Sequence, residues 1–365
     1  MKFTRRHIAA LNYATLISSF ILISLFQAAP ANAQTKNQSN AVILLYHHVS
    51  ASTPASTSVP PEIFKEHMTY LAEHYSVLPL PVIVNAIKNS KPLPDKAIAV
   101  TFDDGFENIL TNGHSVMNAL SLPYTIFINP AEIGRQKSQL NWEQVKKLHE
   151  EGVDFANHTL DHLHMLDRLN GESEAAWLDR VWKNVEEAEA QIREHTGESL
   201  KYLAYPFGEF NQQLANRVKQ AGYIGFGQHS GGVGPHSDFA ALPRFPAAGP
   251  YARMSSLKVK MASLAMPVLS QTLQNPEFAA NTLVGKQSIT VRQEDVRLKQ
   301  AACYFQGETL PVDFSDNTLS YTLDKALPIG RSRVNCTAPS ASKPGRYYWY
   351  SQPFFVAREN GTYPD

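Results

Sequence analysis

Short, fully apolar runs recur between residues 41 and 245, separated by longer segments in which apolar residues return every three or four positions. The run AIAVTF at 97–102 is typical of a strand buried on both faces. The spacing of Phe64, Met68 and Leu71 is typical of an amphipathic helix. This alternation predicts a parallel α/β sheet with right-handed crossovers. We predict strands at 41–49, 97–102, 124–129, 153–156, 202–205, 223–227 and 241–245, and helices at 61–75, 81–89, 105–121, 141–151, 174–195 and 212–221.

The pattern changes after residue 250. Residues 251–266 keep helical spacing, whereas from about Ser288 short segments alternate apolar and polar residues without any helix. Alternation with a period of two, with turn residues in between, is typical of antiparallel strands. We therefore predict an α/β domain at 41–250, a helical bridge or linker at 251–285 and a small antiparallel β-sandwich domain at 286–365. The predicted sandwich strands are SITVRQ, VRLKQAACYF, LPVDFS, TLSYTLD and RYYWYSQPFFV.

The N-terminus has the pattern of a targeting segment. Basic residues among the first six precede an apolar stretch at about 14–26, and a small-x-small cleavage site ends at Ala33. We predict a signal peptide at 1–33, a short disordered lead at 34–40 and an exported protein, periplasmic or secreted. The stretch is short and serine-rich for a membrane span. A retained N-terminal anchor is the alternative, and it is the only membrane association that we expect.

Composition limits the classes of partner. The 365 residues are 43% hydrophobic and 18% charged, as in ordinary globular proteins with a large core. The formal net charge is zero and no dense Lys/Arg block occurs, so we expect no nucleic-acid partner. The two cysteines, Cys303 and Cys336, both lie in the predicted β-sandwich. In an exported chain such a pair predicts a disulfide rather than a zinc site, because no second Cys or His pair flanks either one.

Candidate chemistry is concentrated at the ends of two predicted strands. Asp103 and Asp104 follow the strand at 97–102, and His158 and His162 follow the strand at 153–156. Both strands deliver these groups to the same edge of the sheet. One carboxylate and two imidazoles are the ligand set of a catalytic zinc site with one position open to water. The second carboxylate is then free to act as a base, so the sequence predicts a metal-dependent hydrolase.

Several motifs in a fixed order resemble one protein family. TFDDG at 101–105, HTLDH at 158–162 and YPFG at 205–208 resemble the successive signatures of the polysaccharide deacetylase family. YHHV at 46–49 resembles the N-terminal motif of its biofilm-type branch, the deacetylases of poly-β-1,6-N-acetylglucosamine. The resemblance covers about residues 41–250. It implies a distorted (β/α) barrel, a divalent metal, usually zinc, and hydrolysis of N-acetyl groups of a glycan.

The resemblance also implies roles for individual residues. Asp104, His158 and His162 correspond to the family's metal ligands, and Asp103 corresponds to its catalytic base. The backbone N–H of Phe207 corresponds to the second oxyanion donor, although the family has a Tyr at this position. Most members place the general acid on a C-terminal Leu-x-His strand, and this sequence contains no such segment. The biofilm-type branch assigns that role to the first histidine of its N-terminal motif, which here is His47.

Simpler interpretations remain for these residues and for two weaker candidates. The aspartate pair could cap a helix, the histidines could be packed or surface residues, and His48 could replace His47. Arg244 could orient Asp103 through a bidentate pair or lie at the surface. Trp142 could close a wall of the cleft or be an ordinary buried tryptophan. The aromatic run YYWY at 347–350 could bind sugar rings or form a core strand, and His164, His229 and His236 are expected to be incidental.

The function predicted from the sequence is metal-dependent N-deacetylation of an N-acetylglucosamine-containing polysaccharide. Poly-β-1,6-N-acetylglucosamine is the leading substrate, because of the YHHV motif. Chitin oligomers and peptidoglycan are alternative substrates. A different class of function, an inactive glycan-binding protein on the same barrel, is disfavoured by the intact set of Asp103, Asp104, His158 and His162.

Overall fold

The computed structural model describes residues 39–198 and 200–364, which belong to one compact unit. The predicted signal peptide at 1–33 lies outside the described residues, as does most of the predicted lead at 34–40. No helix in the described part of the chain has the length and apolar character needed to cross a membrane.

The first two thirds of the described chain alternate strands and helices. The strands are β1 (Ala41–Tyr46), β2 (His48–Val49), β3 (Ser58–Val59), β4 (Ser76–Val77), β5 (Ala97–Phe102), β6 (Thr125–Ile128), β7 (Asp154–Asn157), β8 (Tyr202–Ala204), β9 (Ile224–Phe226) and β10 (Phe245–Pro246). The helices are α1 (Pro61–His74), α2 (Leu80–Lys88), α3 (Ser115–Ala119), α4 (Trp142–Glu150), α5 (Glu174–Thr196) and α6 (Gln212–Gln220), with a π-helical turn at Ile109–His114 and a 3₁₀ turn at Pro206–Gly208.

Seven of these strands form a continuous parallel sheet in the order β10-β1-β5-β6-β7-β8-β9, with β4 added beside β5. The far edge approaches the first again, because Phe226 of β9 pairs in parallel with Leu242, just before β10. β1 and β5 are buried at every position, which explains their uninterrupted apolar sequences. The sheet is thus a distorted (β/α) barrel, and the predicted fold class is confirmed.

The predicted strand at 41–49 is interrupted at His47. The ladder between β1 and β5 ends at Tyr46, whose carbonyl oxygen accepts a hydrogen bond from the Asp103 N–H at 3.0 Å. Beyond this point the backbone of Val49 is bonded to side chains: its N–H donates to Asn108 Oδ1 at 2.9 Å, and its oxygen accepts from Asn112 at 2.8 Å. His47 therefore lies in a break between two strands rather than within one.

The predicted helix at 105–121 is also shorter than expected. It begins as a π-helical turn at Ile109–His114 and becomes α-helical only in α3. Gly113 in this turn packs closely against β2, where an added Cβ would lie 3.3 Å from Val49. Wide helical turns of this kind occur often beside functional sites. Nothing in the apolar spacing of this segment distinguishes the two helix types.

The last third contains α7 (Met254–Met261), 3₁₀ turns at Gly249–Ala252 and Leu298–Gln300, and ten strands. The strands are β11 (Leu264–Ala265), β12 (Val268–Gln271), β13 (Glu277–Phe278), β14 (Gln287–Val291), β15 (Ala302–Phe305), β16 (Glu308–Leu310), β17 (Val312–Ser315), β18 (Thr318–Tyr321), β19 (Gly330–Pro339) and β20 (Tyr347–Val356). The segment 251–285, expected to be a helical bridge, therefore contains α7 and also β11, β12 and β13.

These strands form two facing sheets. One has the order β11-β20-β19-β15-β16, with β13 also paired to β20, and the other has the order β12-β14-β18-β17. All pairings are antiparallel except those of β11 and β13, which run parallel to β20. Val334, Phe354 and Leu319 are among the side chains buried in their common core. The predicted antiparallel sandwich is confirmed in outline.

The longest unpredicted strand is β19. Its buried positions Val334, Cys336 and Ala338 alternate with polar residues, but the apolar side chains are small and the segment lacks an obvious apolar run. Cys336 lies directly opposite Cys303 of β15 in the antiparallel register, and the two form the expected disulfide.

The barrel and the sandwich share an extensive contact. The ring of Trp349 on β20 packs edge-on against Phe245 of β10, with centroids 5.2 Å apart. On the same strand, the Ser351 hydroxyl donates to the Ser230 carbonyl oxygen at 2.6 Å. Arg346 donates to Asp95, in the loop before β5, at 2.8 Å. Polar and apolar contacts together hold the two regions side by side.

Candidate metal centre

Asp103 and Asp104 lie immediately after β5, where the chain turns sharply. Asp104 and Gly105 have φ values of +74° and +69°, so the backbone enters the left-handed region right after the strand. An added Cβ on Gly105 would lie 2.9 Å from Ile128 of β6, so this turn needs glycine. The turn directs the two consecutive carboxylates to different surroundings. It also brings Asp104 beside the histidines that follow β7.

His158 and His162 lie in the loop after β7, two strands away from β5 in the sheet. Thr159 and His162 both have positive φ values, +67° and +58°. Polar side chains hold this unusual backbone: Asn129 donates to the carbonyl oxygen of His158, and Asn157 Oδ1 accepts from the Thr159 N–H at 2.8 Å. Backbone strain of this kind persists only where surrounding contacts enforce it, and it is common at functional sites.

The three predicted ligands converge. His158 Nε2 and His162 Nε2 each lie 3.3 Å from Asp104 Oδ1, and the candidate ligand atoms of all three residues lie within 4.8 Å of one another. Two ligands of a tetrahedral zinc ion, with bonds of about 2.0–2.1 Å, are separated by roughly 3.3 Å. The spacing of the side chains thus fits a single cation between them.

Two of the candidate ligand atoms have no other partner. Asp104 Oδ1 and His158 Nε2 are buried and make no hydrogen bond. Buried polar atoms in folded proteins are nearly always paired, and an unpaired one is costly. A cation at this point would satisfy both. The donor set of one carboxylate oxygen and two imidazole nitrogens therefore fits zinc or a similar divalent transition metal.

The tautomer of the neutral His158 imidazole is set by its second contact. Its Nδ1 lies 2.8 Å from the carbonyl oxygen of Ala204, the last residue of β8, and a carbonyl can only accept. Nδ1 therefore carries the proton and Nε2 is left to bind a cation, the usual arrangement for a metal-bound histidine. Burial lowers the pKa of His158, but the nearby charges of Asp103 and Asp104 raise it more. For His162, burial and His158 lower the pKa to about 4, so its imidazole is neutral at pH 7.

Asp103 is fully buried and paired with Arg244. Arg244 Nη1 and Nη2 donate to the two carboxylate oxygens at 2.7 and 2.8 Å, and Nε donates to the Gly227 carbonyl oxygen at 3.0 Å. Burial raises the pKa of Asp103, yet the charge of Arg244 more than offsets this and the pKa lies below its ordinary value. Asp103 is therefore an ionised carboxylate in one fixed orientation, with Oδ2 3.9 Å from His158 Nε2. The bidentate pair considered from the sequence is present.

His47 lies in the break between β1 and β2. Burial lowers its pKa, and the charges of Asp104 and Asp103 raise it by less, so the imidazole is mainly neutral at pH 7. His48 is engaged elsewhere: its ring stacks on Phe106 at 3.6 Å, and its Nδ1 lies 2.9 Å from Asn108 Nδ2. Of the two neighbouring histidines, His48 is thus held by contacts of its own beside the π-helical turn.

Phe207 borders the candidate ligands from the other side. It lies in the 3₁₀ turn after β8 with a φ of +56°. Its ring packs edge-on against His162 at 4.6 Å and stacks on His164 at 3.9 Å. His164 Nδ1 in turn lies 3.1 Å from both oxygens of the buried Glu209. Neither His164 nor Glu209 belongs to a spaced motif, so sequence spacing alone does not single them out.

Trp142 and the aromatic run at 347–350 have structural contacts. Trp142 stacks on His195 near the end of α5, with centroids 3.8 Å apart, and packs against the barrel core. Tyr348 is buried in the sandwich core, whereas Trp349 faces the barrel. These contacts favour the structural alternative for both.

Comparison with known proteins agrees with this geometry. Residues 90–225 match the family model described as "Polysaccharide deacetylase", a range that includes the two aspartates, both histidines and Phe207 but not His47 or Arg244. The Bacillus subtilis protein YxkH is 26% identical over 194 residues, covering 52% of this chain and 64% of that protein. The poly-β-1,6-N-acetyl-D-glucosamine N-deacetylase of Staphylococcus aureus is 26% identical over 212 residues, covering 55% of this chain and 71% of that enzyme.

Solved structures show the same fold. The Streptococcus pyogenes deacetylase PplD, solved in complex with acetate, has a TM-score of 0.55 at 18% identity, and the match covers 61% of this chain and 99% of that one. IcaB from Ammonifex degensii has a TM-score of 0.54 at 19% identity, covering 62% of this chain and 98% of that one. Residues 90–225 thus match a polysaccharide deacetylase domain in sequence, and the chain shares the fold of these solved deacetylases.

Proposed function

We propose that this protein hydrolyses N-acetyl groups of an N-acetylglucosamine-containing polysaccharide and releases acetate. The observation that carries this proposal is the convergence of Asp104, His158 and His162, with two unpaired buried atoms, beside a fixed and ionised Asp103. The family match and the named activity of the staphylococcal relative support the reaction class.

Asp104, His158 and His162 are the proposed ligands of a divalent cation, for which zinc is our choice. Such an ion, when bound, acts as a Lewis acid and makes water more acidic at neutral pH. The protein holds the ligands in place through the Ala204 carbonyl, which fixes the tautomer of His158, and through Asn129 and Asn157, which fix the loop. The metal identity is part of the proposal.

Asp103 is the proposed general base. In this scheme it accepts a proton from the attacking water while the water oxygen bonds to the acetyl carbonyl carbon. Its low pKa keeps it ionised at neutral pH, and Arg244 holds both oxygens so that the carboxylate cannot rotate away. The backbone N–H of Phe207 is the proposed hydrogen-bond donor to the oxyanion that then forms.

His47 is the proposed general acid. When the C–N bond breaks, the sugar nitrogen must gain a proton to leave as an amine. Electrostatic coupling of His47 to both aspartates supports this role. Because the imidazole is mainly neutral in the free protein, His47 must take up a proton before the C–N bond breaks. The negative charges of Asp103 and Asp104 favour this protonated form.

Poly-β-1,6-N-acetylglucosamine is the substrate that we propose, since the staphylococcal relative bears that name and the YHHV motif points the same way. Chitin oligomers and peptidoglycan are the alternatives within the same chemistry. We further propose that the protein is exported by its N-terminal segment at 1–33, which suits action on a polysaccharide outside the cell.

Acetate release from β-1,6-linked, β-1,4-linked and peptidoglycan oligomers, with and without a chelator, tests this function. We expect release from the β-1,6-linked oligomers, loss of activity after chelation and recovery when zinc is restored. A protein that binds these oligomers but releases no acetate with any divalent metal would instead be a glycan-binding protein on the same barrel.

A further inference from the structure

One side chain of the sandwich contacts the YPFG motif of the barrel at 205–208. Arg331 lies near the start of β19, and its Nη1 donates to the Phe207 carbonyl oxygen at 2.8 Å and to Gln228 Oε1 at 3.1 Å. Arg331 lies outside residues 90–225, which match the family model. The contact joins positions 124 residues apart in sequence.

The backbone of Phe207 needs external support. Its φ of +56° is unfavourable for a residue with a side chain, and Gly208 follows with a φ of +75°. The turn is pressed closely against its neighbours, because an added Cβ on Gly208 would lie 2.8 Å from Gln228. One face of the Phe207 ring is covered by His164. Arg331 adds the only charged donor that we find on the Phe207 carbonyl oxygen among the described residues.

We propose that Arg331 is a positioning residue for the deacetylation reaction. By binding the carbonyl oxygen of Phe207 it fixes the peptide on one side of this residue, and so the direction of the N–H on the other side. This inference rests on the proposed function, in which that N–H stabilises the oxyanion. Oxyanion donors act strongly because they are held in place before the reaction, so a loosened turn reduces turnover.

The strand that carries Arg331, β19, is held firmly in the sandwich. β19 pairs with β20 over ten residue pairs, from Gly330 to Pro339, and is linked to β15 by the disulfide. The two regions are also joined by Trp349 against Phe245 and by Arg346 with Asp95. Loss of the Arg331 side chain therefore leaves the other contacts between barrel and sandwich intact. The sandwich thereby contributes to catalysis as well as to stability.

Steady-state kinetics of Arg331→Gln on the substrate that the wild-type protein deacetylates tests this role. The control is Arg292→Gln, which changes another exposed arginine of the sandwich, one that forms an ion pair with Glu294 at 3.9 Å. We expect kcat to fall about tenfold in Arg331→Gln, a fraction of the roughly 10²–10³ that removing an oxyanion donor costs. KM, zinc content and Tm should stay at the wild-type values, and the control should match the wild type. Adding guanidinium to Arg331→Ala should restore part of kcat.

Either of two results with Arg331→Gln would overturn the proposal. An unchanged kcat would mean that the contact does not position the turn, and a raised KM with unchanged kcat would make Arg331 a substrate-binding residue instead. If Arg331→Gln is destabilised, Arg331→Lys provides the same test, because it keeps the charge and loses the forked geometry. A folded Arg331→Lys with wild-type kcat, and no response of Arg331→Ala to guanidinium, would also reject the proposal. Absence of activity in the wild-type protein would instead reject the deacetylase function.

Discussion

The barrel and the sandwich use unfavourable backbone conformations for different purposes. Ten non-glycine residues in the described chain have positive φ, and four of them border the candidate metal centre: Asp104, Thr159, His162 and Phe207. In the sandwich such residues are Gln306 and Asp316, which begin the two-residue turns of the hairpins β15–β16 and β17–β18. A tight hairpin requires this conformation, whereas the loops after β5, β7 and β8 do not. The other four, Ser90, Lys96, Ser121 and Lys201, lie in connections between helices and strands. It is therefore the clustering of positive φ values beside the candidate ligands that points to function.

The barrel and the sandwich also differ in the burial of their charged side chains. The barrel encloses Asp103, Arg244 and His158 at 0% exposure, close to one another. The ion pairs within the sandwich, such as Lys286 with Asp313, are solvent-exposed. The barrel thus contains buried charges that cost stability but hold the candidate site in a fixed geometry. The sandwich keeps its ion pairs at the surface and packs against the barrel. The following predictions test that difference, beginning with the largest expected effect.

Asp104→Ala and His158→Ala should each abolish metal binding and all measurable acetate release, because each removes a ligand and leaves at most two. Zinc content after dialysis, measured by atomic emission, checks the first point. His195→Ala is a matched control on a histidine that stacks on Trp142 and should bind zinc like the wild type. A zinc-loaded Asp104→Ala protein would remove this residue from the centre.

Asp103→Asn should retain zinc but lose turnover by roughly 10²–10⁴, the range expected for a general base. The amide keeps the shape of the carboxylate but cannot take up the proton. Parallel measurement of zinc content and kcat separates the two roles of the neighbouring aspartates. Near wild-type activity of Asp103→Asn would show that the base is another group.

His47→Ala should lower kcat by roughly 10²-fold and remove the alkaline limb of the pH–rate profile. An acid acts only while protonated, so activity is expected to fall as the pH rises through its pKa, and this fall should vanish with the residue. His48→Ala serves as the neighbouring control. An alkaline limb that persists unchanged in His47→Ala would exclude His47 as the acid.

Arg244→Gln should lower the free energy of unfolding by about 3–5 kcal/mol, because it leaves a buried carboxylate without its partner. Lys286→Gln in the sandwich breaks an exposed pair and should change it by less than about 1 kcal/mol. Denaturant titration of both variants compares the regions directly. Equal effects would mean that the buried pair contributes no more to the free energy of unfolding than the exposed pair does.

Much of the barrel could be predicted from local sequence. β5 has the predicted bounds, because a six-residue apolar run that ends at Asp103, Asp104 and Gly105 has the length of a buried strand rather than of a helix. The convergence of Asp104, His158 and His162 followed from two motifs that each lie directly after a strand. The break at His47 could not be predicted, because it depends on Asn108 and Asn112 bonding to β2 from another element. The π-helical turn could not be predicted either, because the apolar spacing of this segment does not distinguish it from an α-helix.

Long-range contacts were the least predictable. β19 has small or polar side chains, and it is a strand because β15 and β20 lie on either side of it. Arg331 meets the Phe207 turn through tertiary structure alone, so neither sequence spacing nor composition marks it. Glu209 directly follows this turn in sequence, but only its contact with His164 distinguishes it. His164 was expected to be incidental, yet it stacks on Phe207.

Acetate release by metal-stripped protein during a zinc titration, with a poly-β-1,6-N-acetylglucosamine oligomer as substrate, tests the central claim most directly. We predict no release without metal, and a rise that saturates at one zinc ion per chain, because Asp104, His158 and His162 form the single such cluster among the described residues. Release that is unaffected by stripping, or that never appears at full zinc occupancy, would contradict it.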